Sequence, residues 1–342
     1  MLPKRLLDII IPSYNRPKRL FSLLDTGLKL AMDGVYFVVI DDGSELAEDI
    51  DDIGLCSTQQ VCEYFNSPAI VYVRNPQNMG LARSWVNYYA SHCEAKYTLS
   101  VVDKDLFINK TPILNALEKL EKDDSLCMVV IPILQHDRTN ENILVGFDYT
   151  KMTGKKFISH FVRDPSLQHC TSYGIKRVSC IKKANVPQNL SLKEYGLDDG
   201  FGIDIDLVLR LASKGNVEFE REAHVKRITM EGATERFPLT FAYTYYQYAK
   251  HAIILLKKEN MISRVDAKCY IKTWLLLILR GLVVAYRPVH DTQEEFGTER
   301  IAQHFAMSIH LYVIYELLKH KIIPSREMID LYILSKRLSN KR

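Results

Sequence analysis

Short, near-continuous apolar runs that each break off at a polar or acidic cluster set the strongest limit on how this chain can fold. Leu7–Ile11 runs into Pro12-Ser13-Tyr14-Asn15, Val35–Ile40 into Asp41-Asp42-Gly43-Ser44, Ala69–Val73 into Arg74-Asn75, and Tyr97–Val102 into Asp103-Lys104-Asp105. Such runs read as strands covered on both faces. Between and after them Arg16–Leu30, Leu81–His92 and Lys110–Lys122 have helical spacing. Strand and helix therefore alternate, and the fold class is α/β with a mostly parallel central sheet. Ligands of open α/β sheets bind outside the carboxyl ends of the strands, where these polar clusters lie.

Farther along, Cys127–Leu134 reads as another strand, followed by an irregular polar stretch to about Ser191. Residues 196–215 carry an acidic helix start and a stop at Gly215. Beyond Pro238 the pattern turns helical, with Tyr243–Lys258, Ala267–Tyr286, Thr298–His320 and Arg326–Leu338. We place a boundary there, giving residues 1–238 as an α/β domain and 239–342 as a helical C-terminal region.

Charge divides at the same point. Residues 239–342 hold 16 Lys+Arg against 9 Asp+Glu, a net +7, while residues 1–238 are net −3. The total of +4 over 342 residues argues against a nucleic-acid partner, and 47% hydrophobic with 25% charged residues excludes disordered and low-complexity classes. The seven cysteines form no CxxC pair and read as reduced cytosolic thiols. The N-terminal apolar run reads as a first strand rather than a signal peptide. Tyr270–Tyr286, the longest apolar stretch, is interrupted by Lys272 and Arg280, so a core or interfacial helix is expected rather than a membrane span.

Each motif has two readings by itself. Asp103 and Asp105 suit a hard divalent cation held against a diphosphate, or a solvated turn. Asp41-Asp42-Gly43-Ser44 is equally a strand-ending turn, and Asn78 is equally a helix cap. Asp204 and Asp206 fit the positive end of a helix, but an element terminus also fixes a general base at a cleft.

Taken in order, Asp8-Ile-Ile-Ile-Pro-Ser-Tyr-Asn-Arg, Val39-Ile-Asp-Asp-Gly-Ser, Asn78-Met-Gly-Leu-Ala-Arg, Asp103-Lys-Asp, Gly196-Leu-Asp-Asp and Ile203-Asp-Ile-Asp-Leu-Val-Leu-Arg resemble the family 2 glycosyltransferases of GT-A fold over about residues 7–235. The resemblance implies that Pro12, Tyr14 and Asn15 line a nucleotide pocket and that Asp41 and Asp42 bind base and ribose. Asn78, Gly80 and Arg83 would shape the donor-site floor. Asp103 would face the nucleotide-sugar and, with Asp105, hold Mn²⁺ or Mg²⁺, Asp105 being the expected direct ligand and His224 a further one. The family's base lies in a Glu-Asp pair where this chain has Ile203-Asp204, so Asp204 takes that role, with Asp199 its competitor. Asp199, His169, Ser172 and Tyr173 fall where relatives meet the acceptor.

The implied activity is inverting, metal-dependent transfer of a hexosyl or deoxyhexosyl group from a UDP-, GDP- or dTDP-sugar. The acceptor would be a lipid-linked glycan of bacterial O-antigen, capsule or exopolysaccharide synthesis, at the inner face of the cytoplasmic membrane. One alternative is a non-catalytic nucleotide-sugar-binding scaffold. Another is a sugar-phosphate nucleotidyltransferase, which needs a glycine-rich loop, and Pro12–Leu20 contains no Gly. Aromatic and basic residues mixed in the tail fit an anionic membrane interface, and a helical bundle or homodimer contact equally.

Overall fold

The computed structural model of the chain describes residues 5–45, 54–80, 84–85, 88–89, 92–136, 142–145, 149–163, 173–184, 203–228, 246, 250–285 and 313–339. They fall into two compact units. One comprises Met1–Asn189 with Asp204–Met230, and the other Leu190–Ile203 with Glu231–Arg342.

The first unit is built on a seven-stranded sheet. Strand β1 (Leu7–Ser13) pairs in parallel with β2 (Val35–Asp41) on one side and β4 (Tyr97–Ser100) on the other, and β3 (Ile70–Arg74) adds parallel to β2. Beyond β4, β9 (Ile175–Arg177) inserts antiparallel between β4 and β6 (Leu126–Val130), and β10 (Asn216–Phe219) closes the edge parallel to β6. A smaller four-stranded sheet has the order β5 (Asp105–Phe107), β11 (Val225–Ile228), β7 (Ile133–His136), β8 (Asn142–Val145).

Burial explains the continuous apolar runs. Ile9 and Ile11 of β1 join Phe37, Val39 and Leu99 in a core closed by Leu20, Leu23 and Leu24 of helix α1 (Pro17–Leu28). Ile10, Val38 and Ile40 alternate away from it and are also fully covered. Each such side chain contributes about 1.5–3 kcal/mol on leaving water, which fits the unbroken apolar runs Ile9–Ile11 and Phe37–Ile40. Helix α1 starts with Pro17, where a missing N–H costs nothing. Register then levels the strand ends, with Ser13 opposite Asp41 and Asp41 opposite Arg74.

Two expectations need correction. Cys127–Leu134 is two strands in different sheets, because Pro132 between β6 and β7 has no N–H for the ladder. The stretch expected to be irregular contains β8, β9 and the helices Gly154–Arg163 and Val178–Ala184. Phe157, Ile158, Phe161 and Val162 supply a buried helical stripe there, hidden in the sequence among Lys and His.

In the second unit, helix Arg264–Ala285 packs on helix Arg326–Ser339. Buried Glu316 accepts hydrogen bonds from Tyr246 Oη and Lys250 Nζ, each at 2.6 Å. Among the described residues no helix is long and apolar enough to cross a membrane.

Arg177 ties β9 to the start of β6 and to the helix that precedes it. Its Nε donates to Leu126 O at 2.9 Å, and Nη2 donates to Leu120 O and Asp123 O at 2.7 and 3.1 Å, closing the end of helix Thr111–Lys122. Arg177→Met strands these carbonyls and is expected to lower the unfolding free energy by about 3 kcal/mol, read as a lower urea midpoint. Gly43, at φ 74°, has Gln77 C 2.5 Å and Asn78 N 2.8 Å from where a Cβ would stand. Gly43→Ala should therefore cost about 2 kcal/mol in the same measurement; unchanged midpoints would contradict both expectations.

Candidate active site

Strand ends β1, β2 and β3 open onto a cleft of about 640 Å³, whose walls include Tyr14, Gly43, Ser44, Arg74, Gln77 and Asn78. Tyr14 is 41% exposed, leaving a ring face available there. Pro12 pairs with Ile40 at the end of β1. Asn15 adopts φ 53°, donates its N–H to Ser44 Oγ at 3.0 Å and accepts from Glu45 N–H at 2.9 Å, so it fastens the β1 end to the β2 end.

Asp41 and Asp42 are buried, and their oxygens are occupied. Asp41 accepts from Ser44 N–H at 2.8 Å, Tyr72 Oη at 2.6 Å and Arg74 Nη1 at 3.2 Å. Arg74 also donates to Ser44 O at 2.7 Å. Asp42 accepts from Asn75 Nδ2 at 2.7 Å, Ser84 Oγ at 2.8 Å and the N–H groups of Met79 and Gly80 at 3.0 and 2.9 Å. These carboxylates thus hold the cleft walls together, and the walls present Tyr14, Ser44, Arg74 and Asn78. Tyr72 and Ser84 carried no signal as cleft builders; Ser44, Arg74 and Asn75 were legible only as residues of the clusters that end strands. Gly80 has φ 84° and donates to Asp42, while Arg83 lies outside the described residues.

Across the β1 end stand Asp103 and Asp105. Arg16 Nη1 lies 3.3 and 3.2 Å from the two oxygens of Asp103. Asp105 turns inward, fully buried, accepting from Val102 N–H at 2.9 Å and Arg227 Nε at 3.2 Å. Burial raises the Asp105 pKa, and the Arg227 charge opposes the rise. Arg227 in turn covers the Tyr173 ring at 4.7 Å. In donor type these hard carboxylate oxygens fit a divalent cation. Access reverses the expected order, since the Asp103 side chain keeps 7% exposure and Asp105 none.

His224 does not join them. Its ring is fully buried against Phe107 and Tyr173, with Nδ1 3.3 Å from Pro132 O and Nε2 without a partner among the described residues. Burial pushes its pKa down to about 4, which keeps the imidazole neutral. Among the described residues no three His, Cys, Asp or Glu side chains gather as a metal site, so the expected three-residue ligand set does not assemble in this arrangement. Tyr173, expected near an acceptor, is 2% exposed and packs inward under Arg227. Asp199, His169 and Ser172 lie outside the described residues.

Asp204 and Asp206 open the helix Ile203–Ala212 and differ in direction. Asp206 is fully buried and bound by Arg210 Nε at 2.7 Å. Asp204 is half-buried, with Oδ1 accepting from Ile205 N–H at 3.0 Å. Burial pushes Asp204 up to about 6, with backbone amides and the charge of Lys176 opposing. Lys176 is 1% exposed in β9 and donates to Gly174 O at 2.9 Å; burial pushes it down to about 7, with Asp204 opposing. A Lys in a three-residue strand gave no sequence sign of this electrostatic influence.

Comparison with known proteins bears on the whole arrangement. Residues 8–175 match the family described as Glycosyl transferase family 2. No curated protein matches the chain. Among solved structures, residues 1–349 of S. aureus TarS align at 15% identity and TM-score 0.59, covering 98% of this chain and 92% of that one; its complex with UDP-GlcNAc aligns with the same values. The mannosyltransferase PcManGT from Pyrobaculum calidifontis, in complex with GDP-Man and Mn²⁺, aligns at 12% identity and TM-score 0.52, covering 99% of this chain and 85% of that one. At these identities the likeness establishes the shared GT-A fold, with its mostly parallel sheet and helical C-terminal region. Over residues 8–175, just under half of its length, the chain matches glycosyl transferase family 2, and its fold is that of the GT-A glycosyltransferases.

Proposed function

We propose that the chain is an inverting glycosyltransferase that moves a hexosyl or deoxyhexosyl group from a UDP-, GDP- or dTDP-sugar to a hydroxyl of a lipid-linked bacterial surface glycan. The observation that carries the reading is the convergence of a strand-end cleft holding Tyr14 and Arg74 with Asp103 across the β1 end. Tyr14 offers a face for the base, and Arg74 and Ser44 offer polar contacts. The donors bound to neighbours of the same fold, UDP-GlcNAc and GDP-Man, are of the proposed class.

In this reading Asp204 takes the proton of the acceptor hydroxyl as its oxygen bonds to the anomeric carbon and the bond to the diphosphate breaks. Displacement from the face opposite the leaving group inverts the configuration. The charge of Lys176 favours the ionised form of Asp204 before transfer, against the effect of burial. A divalent cation held by Asp103 and Asp105 would neutralise charge on the departing diphosphate.

The proposed division is a catalytic domain over residues 1–238 and a helical region over 239–342 that contacts the membrane. Exposed Tyr315, Leu318 and Ile323 beside Lys319 and Lys321 support a peripheral contact with anionic lipid at the cytoplasmic face.

The test is release of nucleoside diphosphate from a panel of nucleotide-sugars with Mn²⁺ and a glycan acceptor. Asp204→Asn is expected to lower kcat about 10²–10⁴-fold. With Asp204 raised to about 6 and active only when deprotonated, kcat/KM of the unaltered protein should hold above pH 6 and fall as pH drops through about 6. An acid limb near pH 4, or an active Asp204→Asn protein, would contradict the assignment of the base.

A further inference from the structure

Three arginines border Asp41, Asp103 and Asp105, and they differ in how far they are committed. Arg74 is divided between Asp41 and the Ser44 carbonyl. Arg227 is bound to Asp105 and laid over Tyr173. Arg16 meets only Asp103, through one nitrogen, Nη1, shared between both carboxylate oxygens at 3.2 and 3.3 Å. Among the described residues its other guanidinium N–H groups have no partner, and its side chain is 53% exposed against 7% for Asp103.

Arg16 also stands at a particular place. It directly precedes helix α1 and follows Tyr14 and Asn15 at the cleft, so its flexible stem reaches from the cleft wall to the Asp103 side. The oxygens it covers are those that a divalent cation would need. A guanidinium and a divalent cation repel, and they compete for the same carboxylate. A planar fork with spare donors matches phosphate oxygens.

We propose that Arg16 is a two-position cation that covers Asp103 when no donor is bound and transfers to the donor diphosphate, leaving the Asp103 oxygens to the metal ion. The exchange makes and breaks no covalent bond. It rests on the donor reading above and adds to it a phosphate-contacting residue that also controls when the metal ligand is free.

The full-length protein tests this in two binding measurements. First, Mn²⁺ is titrated without nucleotide and followed by electron paramagnetic resonance; Arg16→Gln should bind Mn²⁺ about 3-fold more tightly than the unaltered protein, the size expected for removing a half-exposed ion-pair competitor. Second, UDP, GDP and dTDP are compared with uridine, guanosine and thymidine. For whichever diphosphate binds, Arg16→Gln should weaken it about 10-fold or more and leave its nucleoside unchanged, while Arg16→Lys should recover part of the loss. Equal weakening of nucleoside and diphosphate would mean a disturbed loop and would overturn the proposal, as would unchanged Mn²⁺ affinity in Arg16→Gln. If the unaltered protein binds none of the three diphosphates, the donor reading fails and the phosphate role falls with it. Diphosphate binding that is indifferent to Arg16 leaves the donor reading standing and removes this inference alone.

Discussion

The cleft depends on one buried carboxylate. Asp42, at the end of the second strand, receives the Asn75 and Ser84 side chains and the N–H groups of Met79 and Gly80. A carboxylate out of water is tolerated only when its oxygens are met by donors. The segment after β3 is therefore drawn across the end of β2, although the paired residues are 33 to 42 positions apart. Gly43 permits the approach because its positive φ and missing side chain let the Gln77–Asn78 backbone lie against it.

Asp41 performs the same task one residue earlier, on the other side of the turn. It fixes Tyr72 and Arg74, and Arg74 reaches the Ser44 carbonyl. In the proposed donor site the motif's acids would act on a ligand through the groups they hold. Both carboxylates lie inside the wall, while Tyr14, Ser44, Arg74 and Asn78 form its surface. A parallel sheet makes this economical, since its strand ends are level and each contributes a short loop to one edge.

Much of this was legible in the sequence, for physical reasons particular to each element. Strands β1 and β2 announce themselves because burial on both faces favours the unbroken apolar runs Ile9–Ile11 and Phe37–Ile40, and Asp41, Asp42 and Asp103 stand out as charges just beyond apolar runs, as Asp204 does at the start of a helix. Side-chain direction was not legible. The resemblance makes Asp105 the direct ligand, yet Asp103 faces Arg16 and Asp105 is folded under Arg227. His224 and Tyr173 read as ligand and acceptor contact, yet both point into the core where the two sheets meet. Lys176 was invisible because the strand carrying it has three residues and pairs antiparallel into the middle of the sheet, a placement that only long-range contacts determine.

The most direct measurement is amide hydrogen exchange of the whole protein with and without UDP, GDP or dTDP and Mn²⁺. A donor site built on Asp41 and Asp42 requires protection by at least one of these nucleotides over residues 13–16, 42–45 and 72–80, where the backbone N–H groups of Ser44, Met79 and Gly80 are already tied to the two carboxylates. Protection confined to residues 264–285, or none over the strand ends with a nucleotide shown to bind, would contradict a donor site at this edge of the sheet.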